Sequence, residues 1–302
     1  MGFADILKTF KNASPNTGGD IIGKIDRYLI SLKGKPFLEK ENDREQGVYH
    51  PSELTTNKCT RALVYKWLKT PVSNPNNNDP KGRRIFDVGH HFGYILQGYF
   101  WDMGILEGNW ECVVCRHKWW DLSPKTCPNC GRKLFIWDNL KYLEVPVRNK
   151  KWNVAGHADG IVHLDGERVV IELKSIKNRD VKTSEKAVTF EDLNQAKIEH
   201  VGQANLYIDG LNEMGHHDIK AGRIIYFAKN TQELKAFPIT KMNEILNPLY
   251  LKIDLVNRSL ESRTLPERAG RIKSDPICRY CPFKNYCWDN DYTFEESDYR
   301  NR

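Results

Sequence analysis

The stretch that decides the fold is residues 155–175, AGHADGIVHLDGERVVIELKS. It holds two extended, largely apolar runs joined by Asp165-Gly166, a dipeptide that favours a two-residue hairpin turn in which both central residues have positive φ. If those two residues alone form the loop, counting from the turn along both strands places Asp159 opposite Glu172. The sequence therefore predicts a β-hairpin whose open end carries two facing carboxylates.

The open end of this hairpin also carries an ammonium group. Directly opposed side chains have Cβ atoms about 5 Å apart, and Lys174 points to the same face as Glu172 because side chains alternate along a strand. Two carboxylates so close repel one another unless a cation lies between them. Carboxylate oxygens suit a hard divalent cation, Mg²⁺ or Mn²⁺. The alternative is a surface hairpin with a cross-strand acid pair, but residues 169–171 are apolar on both faces, as in a buried strand.

Two short motifs in this hairpin resemble those of a known family. GHADG (residues 156–160) and ELK (residues 172–174) are similar to the aspartate and E-x-K motifs of the PD-(D/E)XK nuclease superfamily. The resemblance implies an α/β fold, a mixed central sheet flanked by helices with a restriction-endonuclease-like core. It also implies that Asp159, Glu172 and the Leu173 carbonyl bind Mg²⁺ or Mn²⁺. Lys174 would then orient or activate the attacking water.

Composition describes an ordinary globular chain. It has 302 residues, 40% hydrophobic and 28% charged, with a formal net charge of +7 that favours polyanionic partners mildly. No run of 18 or more apolar residues indicates a transmembrane helix, and the N-terminal residues lack the apolar core of a secretory signal. We therefore expect a cytoplasmic protein with no membrane partner.

The eight cysteines fall into two sets of four. In a reducing compartment disulfides explain such sets poorly. The first set is Cys112-x2-Cys115 and Cys127-x2-Cys130, followed by Gly131, a spacing typical of a zinc ribbon. The residues between the two pairs are too few for a core of their own, so Zn²⁺ binding must supply most of the stability, of order 10 kcal/mol.

The predicted ribbon is rich in aromatic and basic side chains, for which two roles remain open. The residues concerned are Trp110, Arg116, His117, Lys118, Trp119 and Trp120. Exposed groups of these kinds could stack on bases and hold phosphates. A plain structural or protein-docking ribbon is the alternative.

The second cysteine set is split along the chain. Cys278-x2-Cys281-x5-Cys287 supplies three soft ligands, and Cys59 is the cysteine that remains to complete them. Spacing alone leaves Zn²⁺ and an iron–sulfur cluster open. The set resembles that of the iron–sulfur nucleases in the RecB-like branch, which includes AddB-type nuclease domains and CRISPR-adaptation exonucleases. This resemblance implies a [4Fe–4S] cluster that staples the C-terminal segment to the helix after Cys59.

A polar stripe follows the hairpin in the chain. His200, Gln203 and Tyr207 share one face of a predicted helix, and such a stripe is otherwise a solvated face. Residues 203–207, QANLY, resemble the Q-x-x-x-Y motif of RecB-type nucleases. The resemblance implies that Gln203 and Tyr207 position DNA and the catalytic groups.

A predicted helix starting near Gly89 departs from the family pattern. Nucleases of this kind carry G-x-x-x-H there, with the histidine as a further metal ligand, whereas this chain has Gly93 at that position. His90 lies one turn earlier on about the same face and would substitute as the ligand. The alternative is an ordinary histidine near a helix N-terminus.

The remaining elements complete a predicted core. Residues 143–148, LEVPVR, are expected to form a first strand paired to the hairpin, and Glu144 within it lacks a predicted register. We predict an N-terminal helical extension over residues 1–49, a nuclease core over 50–109 and 138–290, an inserted ribbon over 110–137 and a tail over 291–302.

These features together predict a metal-dependent DNA exonuclease acting on single strands or strand ends. Its partners would be DNA and a helicase or recombination protein acting in trans. One alternative is a DNA-binding or scaffolding protein whose nuclease site is inactive or secondary, as the missing helix histidine would suggest. A branch-specific endonuclease is the other.

Overall fold

The computed structural model describes residues 21–31, 45–55, 58–72, 80–176, 190–279 and 281–289. The predicted C-terminal tail, residues 291–302, lies outside them. The chain divides into two compact units. One comprises residues 1–43 and 75–88, and the other comprises residues 44–74 and 89–302.

In the described residues, four helices precede seven strands, and one helix, two strands and three further helices follow. The helices are α1 (Ile21–Ser31), α2 (Pro51–Leu54), α3 (Thr60–Trp67), α4 (Pro80–Asp102), α5 (Ile198–Glu213), α6 (Asn243–Ser262), α7 (Pro276–Arg279) and α8 (Lys284–Asp289). The strands are β1 (Leu106–Cys112), β2 (Lys118–Leu122), β3 (Leu140–Leu143), β4 (Val145–Asn149), β5 (Val154–Ala158), β6 (Gly160–Leu164), β7 (Glu167–Ile176), β8 (Ala221–Ala228) and β9 (Leu234–Thr240). Among the described helices, none combines the length and the apolar character that crossing a bilayer requires.

The larger unit is built on a seven-stranded mixed sheet. Its order is β2-β1-β6-β7-β8-β9, and β3 pairs with β1 on a separate branch. The β7–β8 pair is parallel and is connected through α5, as parallel neighbours require a crossover. The other neighbouring strands run antiparallel. The predicted α/β class, a mixed sheet flanked by helices, is confirmed.

The hairpin β6–β7 has the predicted register. Leu164 pairs with Glu167, and the pairing continues to Gly160 opposite Ile171. The turn is the one that the dipeptide favours, because Asp165 and Gly166 have φ values of 51° and 82°. Asp159 and Glu172 therefore follow the last pair at the open end.

The first run of the hairpin is not one continuous strand. β5 ends at Ala158, and β6 begins at Gly160. β5 pairs with β4 in a separate two-stranded sheet, so residues 145–148 pair with residues 155–158 of the predicted hairpin, as expected, and not with its β6–β7 part. A Cβ at Gly160 would meet Leu106 and Ile171 side-chain atoms at 3.0 and 3.1 Å. Glycine thus permits the close approach by which the chain enters the main sheet directly after Asp159.

The central strand β7 is buried on both faces, as its apolar run predicts. Val170 packs into the core shared with α5. Val169 and Ile171 face the opposite core, which includes Trp101 of α4 and Trp110 of β1. The sheet is therefore sandwiched between α5 and the C-terminal part of α4.

The cysteine ribbon is continuous with the main sheet. Its strand β1 pairs with β2, with β3 and, at Leu106 and Glu107, with β6. Trp110 is 0% exposed, so the expectation that it is an exposed aromatic group is wrong. The reason is that β1 belongs to the core and not to an isolated insertion.

The C-terminal segment packs on α3. The Tyr65 ring lies 5.7 Å from the Phe283 ring and 5.5 Å from the Tyr286 ring, measured between centroids. Arg268 donates two hydrogen bonds to the Cys287 carbonyl, at 3.1 and 2.7 Å. Residues 283–287 are therefore held beside the helix that begins at Thr60, directly after Cys59.

Candidate active site

Asp159 occupies the junction between β5 and β6, where neighbouring backbone fixes it. Its Oδ2 accepts a hydrogen bond of 2.6 Å from the Leu173 amide. Its carbonyl accepts a hydrogen bond of 2.8 Å from Gln97 Nε2 on α4. Asp159 is thus attached both to β7 and to α4. The Leu173 backbone lies beside the carboxylate, while metal binding by the Leu173 carbonyl stays a prediction.

Glu172 and Lys174 project from β7 towards α5. Glu172 is 1% exposed, and its Oε1 forms an ion pair with Lys174 Nζ. Beyond this ion pair, Oε1 has no hydrogen-bond donor among the described residues. A buried carboxylate with so few partners is costly. The structure thus brings the three residues of the predicted centre together.

The electrostatics of this group show a shortage of positive charge. Burial, the Glu172 carboxylate and Glu144 together raise the pKa of Asp159 to about 8. Burial also raises the pKa of Glu172, although Lys174 opposes the shift. Burial alone would lower the pKa of Lys174, but Glu172 and Asp159 raise it, so the ammonium stays charged. One ammonium does not neutralise two buried carboxylates, and the donor set fits an added divalent cation.

Glu144, which the sequence left without a register, contributes to the same field. It lies between β3 and β4 and raises the pKa values of Asp159 and Glu172. Among the described residues, these three acids do not form a group whose ligand atoms all lie within 4.8 Å. Glu144 therefore adds negative charge and is not a third ligand in this geometry.

Helix α5 carries the two residues of the predicted Q-x-x-x-Y motif over the acids. Gln203 Nε2 donates a hydrogen bond of 2.7 Å to the Tyr207 hydroxyl, and both side chains are buried. Burial, then the charges of Glu172 and Asp159, raise the pKa of Tyr207 well above its usual value. Both residues therefore lie at the acid cluster and not on a solvated face.

Sequence reasoning missed Tyr226, which is paired beside Lys174 in the parallel β7–β8 register. Its hydroxyl accepts a hydrogen bond of 2.9 Å from the Lys197 amide and lies 2.7 Å from His200 Nδ1. Burial, then Lys174 and Lys197, lower the pKa of His200 to about 3, so this imidazole is neutral. A tyrosine in the strand after the crossover was the available signal, but its register could not be predicted.

The two α4 positions of the family pattern lie one turn apart and differ in their surroundings. A Cβ at Gly89 would lie 2.7 Å from Ser175 Oγ, so Gly89 packs against the end of β7. A Cβ at Gly93 would meet nothing within 4 Å. His90 is exposed on the adjacent face. Its role as a metal ligand stays a prediction.

The four ribbon cysteines form a compact cage. Cys112 and Cys130 Sγ atoms are 3.9 Å apart, and those of Cys115 and Cys127 are 3.7 Å apart. Four sulfurs around a tetrahedral Zn²⁺ with Zn–S bonds of about 2.3 Å are separated by about 3.8 Å. Among the described residues, this is the one group of such ligands with all ligand atoms within 4.8 Å. The cage therefore fits a single metal ion of zinc size.

The split cysteine set also converges, but more openly. Cys59, Cys278, Cys281 and Cys287 all line one small cavity, together with Tyr65 and Arg268. Their four sulfur atoms do not all lie within 4.8 Å of one another, as the four sulfur atoms of the ribbon set do. A polynuclear cluster holds its cysteine sulfurs further apart than a single ion does. The donor set fits such a group.

Comparison with known proteins assigns the family. A sequence model of the PD-(D/E)XK nuclease superfamily matches residues 101–288. This range includes the hairpin, α5 and the C-terminal cysteines. The sequence comparison with curated proteins gives no match.

Solved structures give weaker similarities. The crystal structure of SSO0001 has a TM-score of 0.46 at 15% identity, covering 89% of this chain and 98% of its own. The alkaline exonuclease LHK-Exo of Laribacter hongkongensis has a TM-score of 0.27 at 14% identity, covering 40% and 57%. LHK-Exo in complex with dAMP has a TM-score of 0.32 at 10% identity, covering 78% and 93%. At these TM-scores the family assignment depends on the sequence model alone.

Proposed function

The chain belongs to the PD-(D/E)XK nuclease superfamily, and on that premise we propose that it is a divalent-metal-dependent DNA exonuclease acting on single strands or strand ends. The observation that carries the proposal is the buried convergence of Asp159, Glu172 and Lys174 beneath α5. Its reaction class is phosphodiester hydrolysis. The preference for strand ends rests on the resemblance of the motifs to the RecB-like branch.

Asp159 and Glu172 would hold Mg²⁺ or Mn²⁺, with the Leu173 carbonyl and His90 as the further ligands that the family pattern suggests. A cation bound there supplies a polarised phosphate and a water of lowered pKa. The Leu173 amide keeps Asp159 Oδ2 directed towards β7. Gln97 fixes the Asp159 backbone from the opposite side. Asp159 would thus be positioned before any substrate arrives, which would limit the reorganisation that catalysis requires.

Lys174 acts as a cation and not as a base. Its pKa is raised by Glu172 and Asp159 against the effect of burial, so the ammonium keeps its proton at neutral pH. A charged ammonium can donate hydrogen bonds to the attacking water and neutralise charge that develops on the phosphate. Proton removal from the water is therefore assigned to another group or to solvent.

Gln203 and Tyr207 orient the substrate. Gln203 donates to the Tyr207 oxygen, which leaves the hydroxyl proton to be directed elsewhere. Because the pKa of Tyr207 is raised, that proton is retained. We expect the hydroxyl to donate towards the acids or a phosphate oxygen bound beside them.

The cysteine sites would hold structural metals. The ribbon spacing supports Zn²⁺ at Cys112, Cys115, Cys127 and Cys130. The more open arrangement of the split set around its cavity supports a [4Fe–4S] cluster, with Zn²⁺ as the second candidate. A brown protein absorbing near ~400 nm with iron and one zinc per chain is expected. A colourless protein with two zincs would contradict the cluster.

A second candidate function is a DNA-binding or scaffolding protein whose nuclease site is inactive or secondary. The observation that favours it is Gly93, which stands where the family pattern has a metal-binding histidine. A branch-specific endonuclease is distinguished by cutting of closed circles or junctions. Binding of a helicase or recombination protein in trans is compatible with each of these functions.

The deciding experiment is cleavage of end-labelled single- and double-stranded DNA by the purified protein with Mg²⁺ or Mn²⁺. Lys174→Ala is expected to reduce the rate by about 10²–10³-fold, because it removes the charge beside the acids. Lys220→Ala is the matched control, since Lys220 is an exposed lysine next to the start of β8. Tight DNA binding with no cleavage in either metal would contradict the enzyme and support the scaffolding protein.

A further inference from the structure

Trp137, in the ribbon segment between the second cysteine pair and β3, has an unusual backbone. Its φ is 66°, in the left-handed region. A bulky non-glycine residue adopts this conformation rarely and at a conformational cost. Its side chain nevertheless remains 42% exposed. The chain therefore strains its backbone to present an indole ring at the surface.

The indole ring is seated on α4. Trp137 Nε1 donates a hydrogen bond of 3.1 Å to the Tyr94 carbonyl. The two rings lie 5.0 Å apart between centroids and are inclined by 51°. A Cβ at Gly98 would lie 3.3 Å from Nε1, so the absence of a side chain there lets the indole approach the helix. The polar edge of the ring is fixed, while much of its surface remains open to solvent.

The turn that carries the ring is held by several hydrogen bonds. The Phe135 carbonyl lies 3.2 Å from the amides of Asp138, Asn139 and Leu140, which all donate to it. The Asn139 side chain accepts from the Phe135 amide at 2.8 Å and donates to the Lys133 carbonyl at 3.0 Å. A ring on such a turn loses little freedom when it binds a ligand.

The surface around Trp137 combines a second aromatic ring with positive charge. Phe135 is 48% exposed, and Lys133 Nζ lies 5.3 Å from its ring centroid. The charged residues between 131 and 141 are Arg132, Lys133, Lys141 and Asp138, all of them exposed. Three cations and one acid leave a local charge of +2. This surface, Phe135 with Trp137 and the flanking cations, is named the ribbon platform below.

The ribbon platform is connected to the candidate active site through α4. Gly98 seats the indole, and the preceding residue, Gln97, donates its hydrogen bond to the Asp159 carbonyl. The hydrogen bond to Asp159 and the seat of the indole therefore come from neighbouring residues of the same helix.

We propose that the ribbon platform binds single-stranded nucleic acid, with bases stacked on Trp137 and Phe135 and phosphates held by Lys133 and Arg132. Rigid exposed rings among cations are the chemistry by which proteins bind single strands without sequence preference. Stacked bases need unpaired strands, so a duplex fits this surface less well. The proposal rests on the proposed function in one respect, since it makes the platform the path of the nuclease substrate.

The binding test uses the full-length protein and a fluorescent oligothymidylate of about 15 nucleotides, without added divalent metal, followed by anisotropy. Trp137→Ala is expected to weaken binding by about tenfold, and Trp137→Phe to retain most of it. Tyr99→Ala is the matched control, because Tyr99 is an aromatic residue of α4, the helix on which Trp137 is seated, and is 58% exposed. Phe135→Ala provides a second variant that leaves the Trp137 seat on α4 intact. Unchanged affinity for the oligothymidylate in Trp137→Ala and in Phe135→Ala overturns the proposal.

Cleavage separates failure of the platform from failure of the proposed function. Bis(p-nitrophenyl) phosphate is small enough to occupy the catalytic centre alone. Trp137→Ala should raise KM for long single strands about tenfold and leave turnover of the small ester unchanged. If the wild type cleaves neither substrate, the proposed function fails while the anisotropy still decides the platform.

The partner class is tested by competition. Duplex of the same length should compete with the labelled strand less well than unlabelled single strand, and Trp137→Ala should narrow this difference. Equal loss of duplex and single-strand binding in Trp137→Ala would overturn the assignment to unpaired bases. If Trp137→Ala lost binding to another protein but kept its affinity for single strands, the assignment to nucleic acid would be overturned in favour of a protein-docking ribbon.

Discussion

Buried acids at the two ends of the hairpin β6–β7 differ in how well their negative charges are compensated. At the turn end, Glu107 accepts hydrogen bonds from Arg168 at 2.8 and 2.7 Å and from Trp120 at 2.7 Å. His163 Nε2 lies 2.6 Å from the same carboxylate. Arg168 also donates to both oxygens of Asp218, at 2.9 and 2.8 Å. Glu107, Arg168 and Asp218 at this end each have a close partner of opposite sign.

The open end has two buried carboxylates and one ammonium. Burial and the neighbouring acids raise the pKa values of Asp159 and Glu172 there. Burial opposes ionisation at Glu107 too, but hydrogen bonds from Arg168, His163 and Trp120 lower its pKa. The carboxylates at the turn end of this strand pair therefore have enough cationic and hydrogen-bonding partners, and those at the open end do not. This contrast distinguishes acids that stabilise the fold from acids that are candidates for binding a ligand.

The largest effect is expected from Asp159→Asn. An amide cannot replace the anionic oxygen, so the affinity for Mn²⁺ should fall and the cleavage rate should drop by about 10³-fold or more. Asp218→Asn is the matched control, because Asp218 is paired with Arg168 at the turn end of the hairpin. Calorimetric Mn²⁺ titration and end-labelled cleavage measure the two quantities. Comparable losses in both variants would remove the distinction between the ends.

The second effect is a loss of stability at the turn end. Arg168→Met leaves the buried Glu107 without its main partner, and breaking a buried pair from one side costs about 3–5 kcal/mol. Urea unfolding of the Mn²⁺-loaded protein measures this change, and the additional change Glu107→Gln should restore much of it. Cleavage per folded molecule should stay unchanged. A loss below about 1 kcal/mol, as for exposed pairs, would show that the network is not structural.

The third effect is a pH dependence of opposite sign at the two ends. In the metal-free protein the pKa of Asp159 is raised to about 8. Its contribution to the free energy of unfolding is therefore fully present below its pKa in the unfolded chain, about 4, and is lost as pH rises towards 8. The pKa of Glu107 is lowered, so its contribution is present above its unfolded value and is lost as pH falls through its folded value. One proton contributes at most about 1.4 kcal/mol per pH unit.

Urea unfolding at several pH values measures these contributions as differences between variants. Asp159→Asn should reduce the decrease in unfolding free energy between about pH 4 and 8. Glu107→Gln should reduce the decrease in unfolding free energy at acidic pH. Saturating Mn²⁺ should reverse the first trend, since the cation competes with the proton. A metal-free wild type whose stability matches that of Asp159→Asn across this range would contradict the raised pKa.

The sequence predicted what local rules determine. The turn residues Asp165-Gly166 fix the register, and alternation then places Asp159, Glu172 and Lys174. Cysteine spacing predicted the compact ribbon cage in the same way, because its ligands are close in the chain. These features need no knowledge of how distant segments pack.

The features that sequence reasoning missed depend on long-range pairing. The break after Ala158 lies beside Gly160, where the side chains of Leu106 and Ile171 approach the backbone closely. The place of Tyr226 beside Lys174 depends on the register of a crossover. Neither periodicity nor composition predicts these contacts, since residues distant in sequence make them.

The smallest effect concerns two glycines on α4 at the open end. Gly93→Ala should stabilise the protein by about 0.5–1 kcal/mol, because a helical glycine is less favourable than alanine and a Cβ there meets nothing within 4 Å. Gly89→Ala should destabilise it, since the same Cβ would lie 2.7 Å from Ser175 Oγ on the strand that carries the acids. Gly93→His then tests whether the open space admits a further ligand. It should be less stable than Gly93→Ala by up to about 0.7 kcal/mol and should raise Mn²⁺ affinity, and unchanged affinity would show that the position lies outside metal reach.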